Sequence, residues 1–497
     1  VQSLIIIGAG IAGLSCGCYA AMNGFSPIIL EAHDLPGGVC TAWTRKGYTF
    51  DACIHWLMGS SARSPMNKLW RELGVVPPQG FYDPEEYCRY ENGGREVCLF
   101  TDNQRLKAHL LEVAPEDAAL VEELCAAIDR LGVMEMPIDD PWTISGFRQY
   151  LRLLPIVGTF RKYGRMPIGD LVGRFKNPFA REALGALFAI PEAPAAAFLM
   201  GLATQSKKNA GYPMGGSLAF AQAMERRYLG LGGKLEYKAR VVEILVEGSR
   251  AVGVRLTDGR ELRADFVVSA ADGHATIFEM LGGRFIDEGI REMYSGGMPL
   301  FDPLVQVSLG LRRRLDTAPI LLFPMDEPLQ VGKVRHDRLG LRNLAHDPSL
   351  APPNHSTVTV SWRTDYESWA ELAMNRPEYL AEKSRIAEAT VACLDRRWPG
   401  LAADVAVVDV ATPMTWVRYT SNWRSSYEGW FMTTKTMDRV LSGGLPKRLP
   451  GLEGFAMIGQ WTAIGGGLPP AAKDGRDLVK SLCRKERRAF RTSESGG

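Results

Sequence analysis

Gly8-Ala9-Gly10-Ile11-Ala12-Gly13 is the densest chemical signal in the chain. Glycines at this spacing suit the close approach of a diphosphate to the backbone. Gly8 permits a tight turn out of a strand, Gly10 has no side chain to hold a pyrophosphate away, and Gly13 lets the next helix pack closely on the strand. Ala12 sits in the first turn of that helix, whose free N–H groups and partial positive charge attract phosphate. Glu31, at the expected offset of roughly 20 residues, is placed to accept hydrogen bonds from adenosine ribose hydroxyls, and its charge disfavours a 2′-phosphate. The flanking residues supply the elements. Leu4-Ile5-Ile6-Ile7 reads as a parallel strand buried on both faces, a helix runs to the stop signal Asn23-Gly24, and a second strand Pro27-Ile28-Ile29-Leu30 ends on Glu31. Together they make one complete βαβ dinucleotide-binding unit.

The next stretch, Ala32-His33-Asp34-Leu35-Pro36-Gly37-Gly38, resembles the second glycine pair of the two-dinucleotide-binding-domain flavoproteins, where the chain passes close to the FAD diphosphate and ribityl. Gly47-Tyr48-Thr49-Phe50-Asp51 and Ile54-His55-Trp56 sharpen the likeness: the chain resembles the phytoene desaturase, carotenoid isomerase and retinol saturase family. A strand at Phe455-Ala456-Met457-Ile458 leads to Gly459-Gln460-Trp461-Thr462, and Gly465-Gly466-Gly467-Leu468-Pro469-Pro470-Ala471 then opens a helix near Leu468. This is similar to the family's C-terminal flavin-contacting segment. The resemblance implies that Gly459, Gln460, Gly467, Leu468, Pro469 and Ala471 meet the flavin, their backbone N–H groups facing its pyrimidine edge and tuning its potential. Tyr212-Pro213-Met214-Gly215-Gly216 opens another helix, and Phe266-Val267-Val268-Ser269 reads as a buried strand. Between them the resemblance implies that Val242 bonds adenine through its backbone. Thr412-Pro413, Arg418-Tyr419-Thr420 and Asn422 resemble the segment that crosses into the substrate region.

The same likeness implies hydride exchange with FAD on a C–C bond of a long apolar small molecule, such as a carotenoid, retinoid, other isoprenoid or acyl lipid. Desaturation and saturation use one site in opposite directions. The alternative is double-bond isomerisation on reduced FAD without net redox; an amine-oxidase-like enzyme and a non-enzymatic FAD-binding protein stand behind these. His55 is the candidate catalytic residue, a proton donor if its pKa stays near the ordinary imidazole value, or a group that hydrogen-bonds FAD or backbone. Trp56 and Trp461 are candidate aromatic walls or core residues. Tyr427 and Arg424 lie near the substrate-side crossing. Asp51 is expected to fix its loop rather than transfer protons.

The fold class expected is α/β, a Rossmann-like FAD-binding domain with an α+β substrate domain made of an antiparallel sheet and a helical cap. The FAD domain is assigned residues 1–76, 205–295 and 446–497, and the substrate domain 77–204 and 296–445. Helices are expected over 103–132 and 376–397, and strands over 300–311 and 356–363, from periods of 3.6 and 2. At 497 residues the chain exceeds what one core organises. A net charge of +2 argues against a nucleic-acid partner. The 9 cysteines are scattered, with no CxxC pair and no His spacing for a metal, so reduced thiols, no metal site and a cytoplasmic setting are expected. No leader and no long apolar run are read in the sequence. Residues 146–166 mix Arg148, Arg152, Arg161, Lys162 and Arg165 with Phe147, Tyr150, Leu151, Leu154 and Val157 and carry no acid. They read either as a peripheral membrane contact or as a cap helix with solvated arginines, interrupted at Pro155 and Gly158. The oligomeric state is not read from the sequence.

Overall fold

The computed structural model describes residues 2–139, 143–188, 190–437, 439 and 445–493. Short strands from the two chain ends and the middle meet in one parallel sheet. Its strands are β1 (Ser3–Ile7), β2 (Ser26–Leu30), β3 (Lys234–Glu236), β4 (Phe266–Ser269) and β5 (Phe455–Met457), in the spatial order β3-β2-β1-β4-β5. Register is continuous across it: Leu4 lies opposite Pro27 on one side and Phe266 on the other, and Val268 lies opposite Ala456. A strand covered on both faces is apolar throughout, and Leu4, Ile5 and Ile6 are all buried.

Helix α1 (Ile11–Met22) is buried along nearly its whole length rather than on one stripe. The reason is α2 (Leu468–Lys485), which crosses it so closely that a Cβ on Gly475 would lie 2.6 Å from the carbonyl oxygen of Ala12. Ser15 Oγ donates to the Ala472 carbonyl at 2.6 Å across the same contact. On the other sheet face, Val241, Ile244 and Val254 of a three-stranded antiparallel sheet pack on Ile5, Ile7, Leu30 and Val267.

A second sheet has seven strands, in the order Val405–Ala411, Leu304–Leu311, Ser356–Arg363, Val334–Asn343, Ile320–Val331, Glu86–Asn92 and Arg95–Phe100. Its strands pair antiparallel, as expected from the sequence, except at one junction. The hairpin 86–100 arrives from a distant part of the chain and joins in parallel, with Leu321 opposite Arg89. The periodicity over 103–132 resolves into two helices, Asn103–Val113 and Ala118–Leu131. Pro115, which has no N–H to donate, stands between them. The helix Arg376–Arg397 and the strand Ser356–Arg363 lie where their periods place them. Residues 146–166 form Ile144–Leu151, a short 3₁₀ turn Leu154–Ile156 and Val157–Gly164, broken around Pro155.

Among the described residues, no helix is long and apolar enough to cross a membrane, and no three His, Cys, Asp or Glu side chains group as metal ligands. All 9 cysteines are free thiols.

Candidate functional site

The turn between β1 and α1 is built as its glycines require. Gly8 has φ +97°, and its N–H donates to the Leu30 carbonyl at 2.8 Å. A Cβ on Gly13 would sit 2.0 Å from the Gly8 carbonyl oxygen, so this glycine is demanded by packing within the protein. Gly10 differs: its nearest neighbour for a Cβ is the Gly37 carbonyl oxygen at 4.0 Å. The absence of a side chain there keeps space open for something other than protein. The second glycine pair closes over the same space. Gly37 N–H donates to the Ala9 carbonyl at 2.8 Å, and a Cβ on Gly38 would lie 3.5 Å from Gly10 Cα. Two glycine turns thus face each other at the N-terminus of a buried helix, a cradle with backbone walls.

Glu31 joins this cradle to the sheet edge. Its carboxylate accepts the Ala9 N–H at 2.7 Å and the His33 N–H at 2.8 Å, leaving lone pairs for further donors. Ala32 lies between the two residues so held. Val242 is surface-accessible, and the pairing register steps from Val241–Leu256 to Glu243–Arg255, so a β-bulge releases Val242 from the ladder.

The C-terminal segment reaches the cradle from the other side. A Cβ on Gly459 would lie 3.1 Å from Ala12 Cβ. Asp474 on α2 holds this turn by accepting the Gly459 N–H at 2.9 Å and the Thr462 hydroxyl at 2.8 Å, and it pairs with Lys447. Gln460 begins the short turn that follows. Gly465, Gly466 and Gly467 all have positive φ, and Gly467 caps α2, with Leu468 and Pro469 as its first residues and Ala471 in its first turn. Trp461 is buried against Trp430, ring centroids 5.4 Å apart, and its indole nitrogen has no protein partner. A glycine-walled cradle, two helix N-termini and an orphaned buried donor together fit a flavin cofactor.

His55 and Trp56 line a small cavity opposite Arg342, His346 and Gln205. Their backbone is pinned from two directions: Ile54 N–H donates to Ser217 Oγ at 2.8 Å, and the Arg342 guanidinium donates to the Ile54 carbonyl. His55 is accessible to solvent yet ringed by protein, as a side chain facing an interior cavity must be. Burial and the nearby Arg342 charge pull its pKa down to about 3. His55 is neutral at physiological pH, a hydrogen-bonding group or a base.

Sequence reasoning missed Glu428. It packs on the C-terminal glycine loop, where a Cβ on Gly466 would lie 2.8 Å from Glu428 Cβ. Burial alone raises its carboxyl to about 7. Asp272 is raised to a similar value by burial, but its oxygens accept the Ala275 and Trp423 N–H groups, each at 2.8 Å. No sequence motif marks Glu428, because its meeting with residue 466 is a tertiary event. Tyr427 beside it packs against Phe301, ring centroids 5.2 Å apart. Arg424 instead points to the surface, where it pairs with Glu367.

Similarities to known proteins agree with this geometry. The family model described as flavin containing amine oxidoreductase matches residues 11–478. Prolycopene isomerase 1, chloroplastic, of an Oncidium hybrid cultivar is 24% identical over 502 residues, covering 95% of this chain and 82% of that protein. A phytoene desaturase (neurosporene-forming) of Rhodobacter capsulatus is 24% identical over 531 residues, covering 96% and 93%. Among solved structures, an oxidoreductase from Methanosarcina mazei aligns with TM-score 0.62 at 16% identity, covering 96% of this chain and 100% of that one. Putrescine oxidase bound to putrescine aligns with TM-score 0.61 at 14% identity, covering 97% and 99%. With its glycine cradle built from both chain ends, and with a family match over nearly its whole length, the chain belongs to the flavin-containing amine oxidoreductases.

Proposed function

We propose that this protein is an FAD-dependent oxidoreductase that desaturates or saturates C–C bonds of a long apolar substrate, a polyene or an acyl chain. The observation that carries this reading is the likeness, over about the whole chain, to proteins named as phytoene desaturases and prolycopene isomerases. FAD rather than a smaller flavin is favoured by the dinucleotide fingerprint. The Gly8–Gly13 and Gly37–Gly38 turns would take the diphosphate, Glu31 the ribose, Val242 the adenine, and the 459–471 segment the isoalloxazine.

A bound flavin supplies hydride exchange at its N5. The proton that accompanies each hydride needs a protein group. Glu428 supplies it, holding a proton on its carboxyl near neutral pH and taking one back in the opposite direction. His55 orients the reacting segment by hydrogen bonding as a neutral imidazole. Buried Trp430 and Trp461 keep water from the glycine loop. Isomerisation without net redox is the second reading, favoured by the prolycopene isomerases among the relatives.

The discontinuous division into an FAD domain (1–76, 205–295, 446–497) and a substrate domain (77–204, 296–445) is supported by the sheets. The parallel sheet draws all five strands from the first set, and the mixed sheet draws all seven from the second. We also propose that residues 146–166 rest on a membrane surface, since Phe147, Leu151, Leu154 and Val157 are exposed beside Arg148 and Arg152.

The test is anaerobic incubation of purified holoprotein with polyenes, retinoids and acyl lipids. Bleaching of the flavin band with a product lighter by one H₂ is expected for a desaturase. An unchanged product mass on pre-reduced protein selects the isomerase. Purification without a yellow chromophore overturns the reading.

A further inference from the structure

We propose that the cavity beside His55 recognises a carboxylate at the end of the substrate chain, with Arg342 as its cationic anchor and Gln205 as a neutral hydrogen-bonding partner. This rests on the reading of the protein as an enzyme on long apolar chains, and adds that the chain ends in an acid.

Arg342 lines the cavity and, among the described residues, forms no ion pair. It is held by carbonyl oxygens only, those of Ile54 and Asp51. Two carboxylates nearby are already engaged: Asp51 accepts bonds from Tyr212 and Ser217, and Asp347 from Gly215 and Ser349. No carboxylate lines the cavity, so the half-buried guanidinium faces it without an ion-pair partner among the described residues. Burying a cation this way is costly unless an anion arrives. Two further polar atoms await a partner there. Gln205 is 6% exposed and its Oε1 is unpartnered, as is Nε2 of His346, whose ring stacks on Tyr82 at 4.4 Å. Burial and Arg342 push His346 down to about 4, so like His55 it is neutral and adds no second cation. A carboxylate answers the charge. It takes the planar guanidinium fork and, with the Gln205 amide turned toward it, that N–H₂ group, while neutral His346, whose ring N–H goes to the Asn343 carbonyl, lines the cavity beside it. A hydrocarbon end would leave the guanidinium unpaired, and an ester carbonyl would accept a hydrogen bond without neutralising its charge. Walls from Trp56, Tyr82, Tyr87 and Tyr212 suit the apolar chain behind such a head.

The experiment compares binding of all-trans-retinoate and its methyl ester to the holoprotein, read by tryptophan fluorescence, with the flavin band recorded on the same samples. The acid should bind about tenfold or more tightly than the ester. Arg342→Met should erase that preference with the flavin retained, and Arg342→Lys, which keeps the charge, should preserve part of it. Gln205→Leu should weaken the acid about threefold or more without affecting the ester. Equal binding of the two probes, no binding of the acid, or a preference that survives Arg342→Met overturns the proposal. Loss of the flavin reading would appear separately, as wild-type protein lacking the flavin band, because the fluorescence comparison does not depend on turnover.

Discussion

Ser217 Oγ donates to Asp51 Oδ1 at 2.5 Å across 166 residues of chain. The same carboxylate, 1% exposed, accepts the Tyr212 hydroxyl at 2.7 Å, the Ser217 N–H at 3.0 Å and the Cys53 N–H at 3.1 Å. It therefore clamps the 48–57 segment, with His55 at its end, to the start of the helix Gly216–Gly230. Asp51→Asn would turn an amide N–H₂ toward these donors. A loss of about 2–4 kcal/mol in denaturant unfolding is expected, with weaker flavin retention. Unaltered stability would mean that the clamp is dispensable.

Gly10 and Gly13 should fail differently. Gly10→Val is expected to fold, because no protein atom blocks the new side chain, but to purify without flavin. Gly13→Val should not fold at all, given the 2.0 Å approach of its Cβ to the Gly8 carbonyl. Circular dichroism and the flavin absorbance separate the two outcomes. A yellow Gly10→Val protein would remove the pyrophosphate from this cradle.

Glu428 carries a signed pH dependence. Its carboxyl is raised from 4.5 to about 7, so between those values the folded state keeps a proton that the unfolded state releases. Stability should fall as pH rises through that window, and the loss should be complete above about 7. Glu428→Gln should remove this slope in melting curves taken across the window, so that its stability relative to wild type increases with pH. The variant should also turn over about 10²- to 10⁴-fold more slowly while holding its flavin. Parallel stability profiles for variant and wild type would place the carboxyl in ordinary solvent.

For His55→Ala, retained flavin and turnover reduced at least about tenfold are expected. Because the His55 pKa lies near 3, the wild-type rate profile should carry no limb at the ordinary imidazole value that disappears in the variant. Unchanged turnover would leave His55 a lining residue only.

Flotation with anionic vesicles tests the 146–166 surface. Leu154 is 65% exposed. Wild-type protein should float, with binding weakened by salt, and Phe147→Asp combined with Leu154→Asp should abolish it without altering flavin content. Wild-type protein that stays with the soluble fraction removes the membrane role.

Local physics made the nucleotide unit legible in the sequence. A buried parallel strand, a glycine turn, a helix and a terminal acid are contiguous residues, each required by its immediate neighbours. The same holds for the glycine turn that opens α2 and for the helix Arg376–Arg397, because turn chemistry and the 3.6 period act over a few residues. The parallel entry of the hairpin 86–100 into the seven-stranded sheet was not legible, since strand pairing between distant segments leaves no local trace. Nor were Glu428, Arg342, Gln205 and His346, which stand in no motif. What the sequence alone determined is that a strand, a glycine turn and a buried helix form from its first residues. Tertiary structure alone decided how closely α2 packs on α1, which guanidinium and hydroxyl groups pin the backbone at His55, and that its surroundings lower its pKa. The physical reason is that a charge state and a cavity are set by which distant groups exclude water together, and only the folded chain brings those groups into contact.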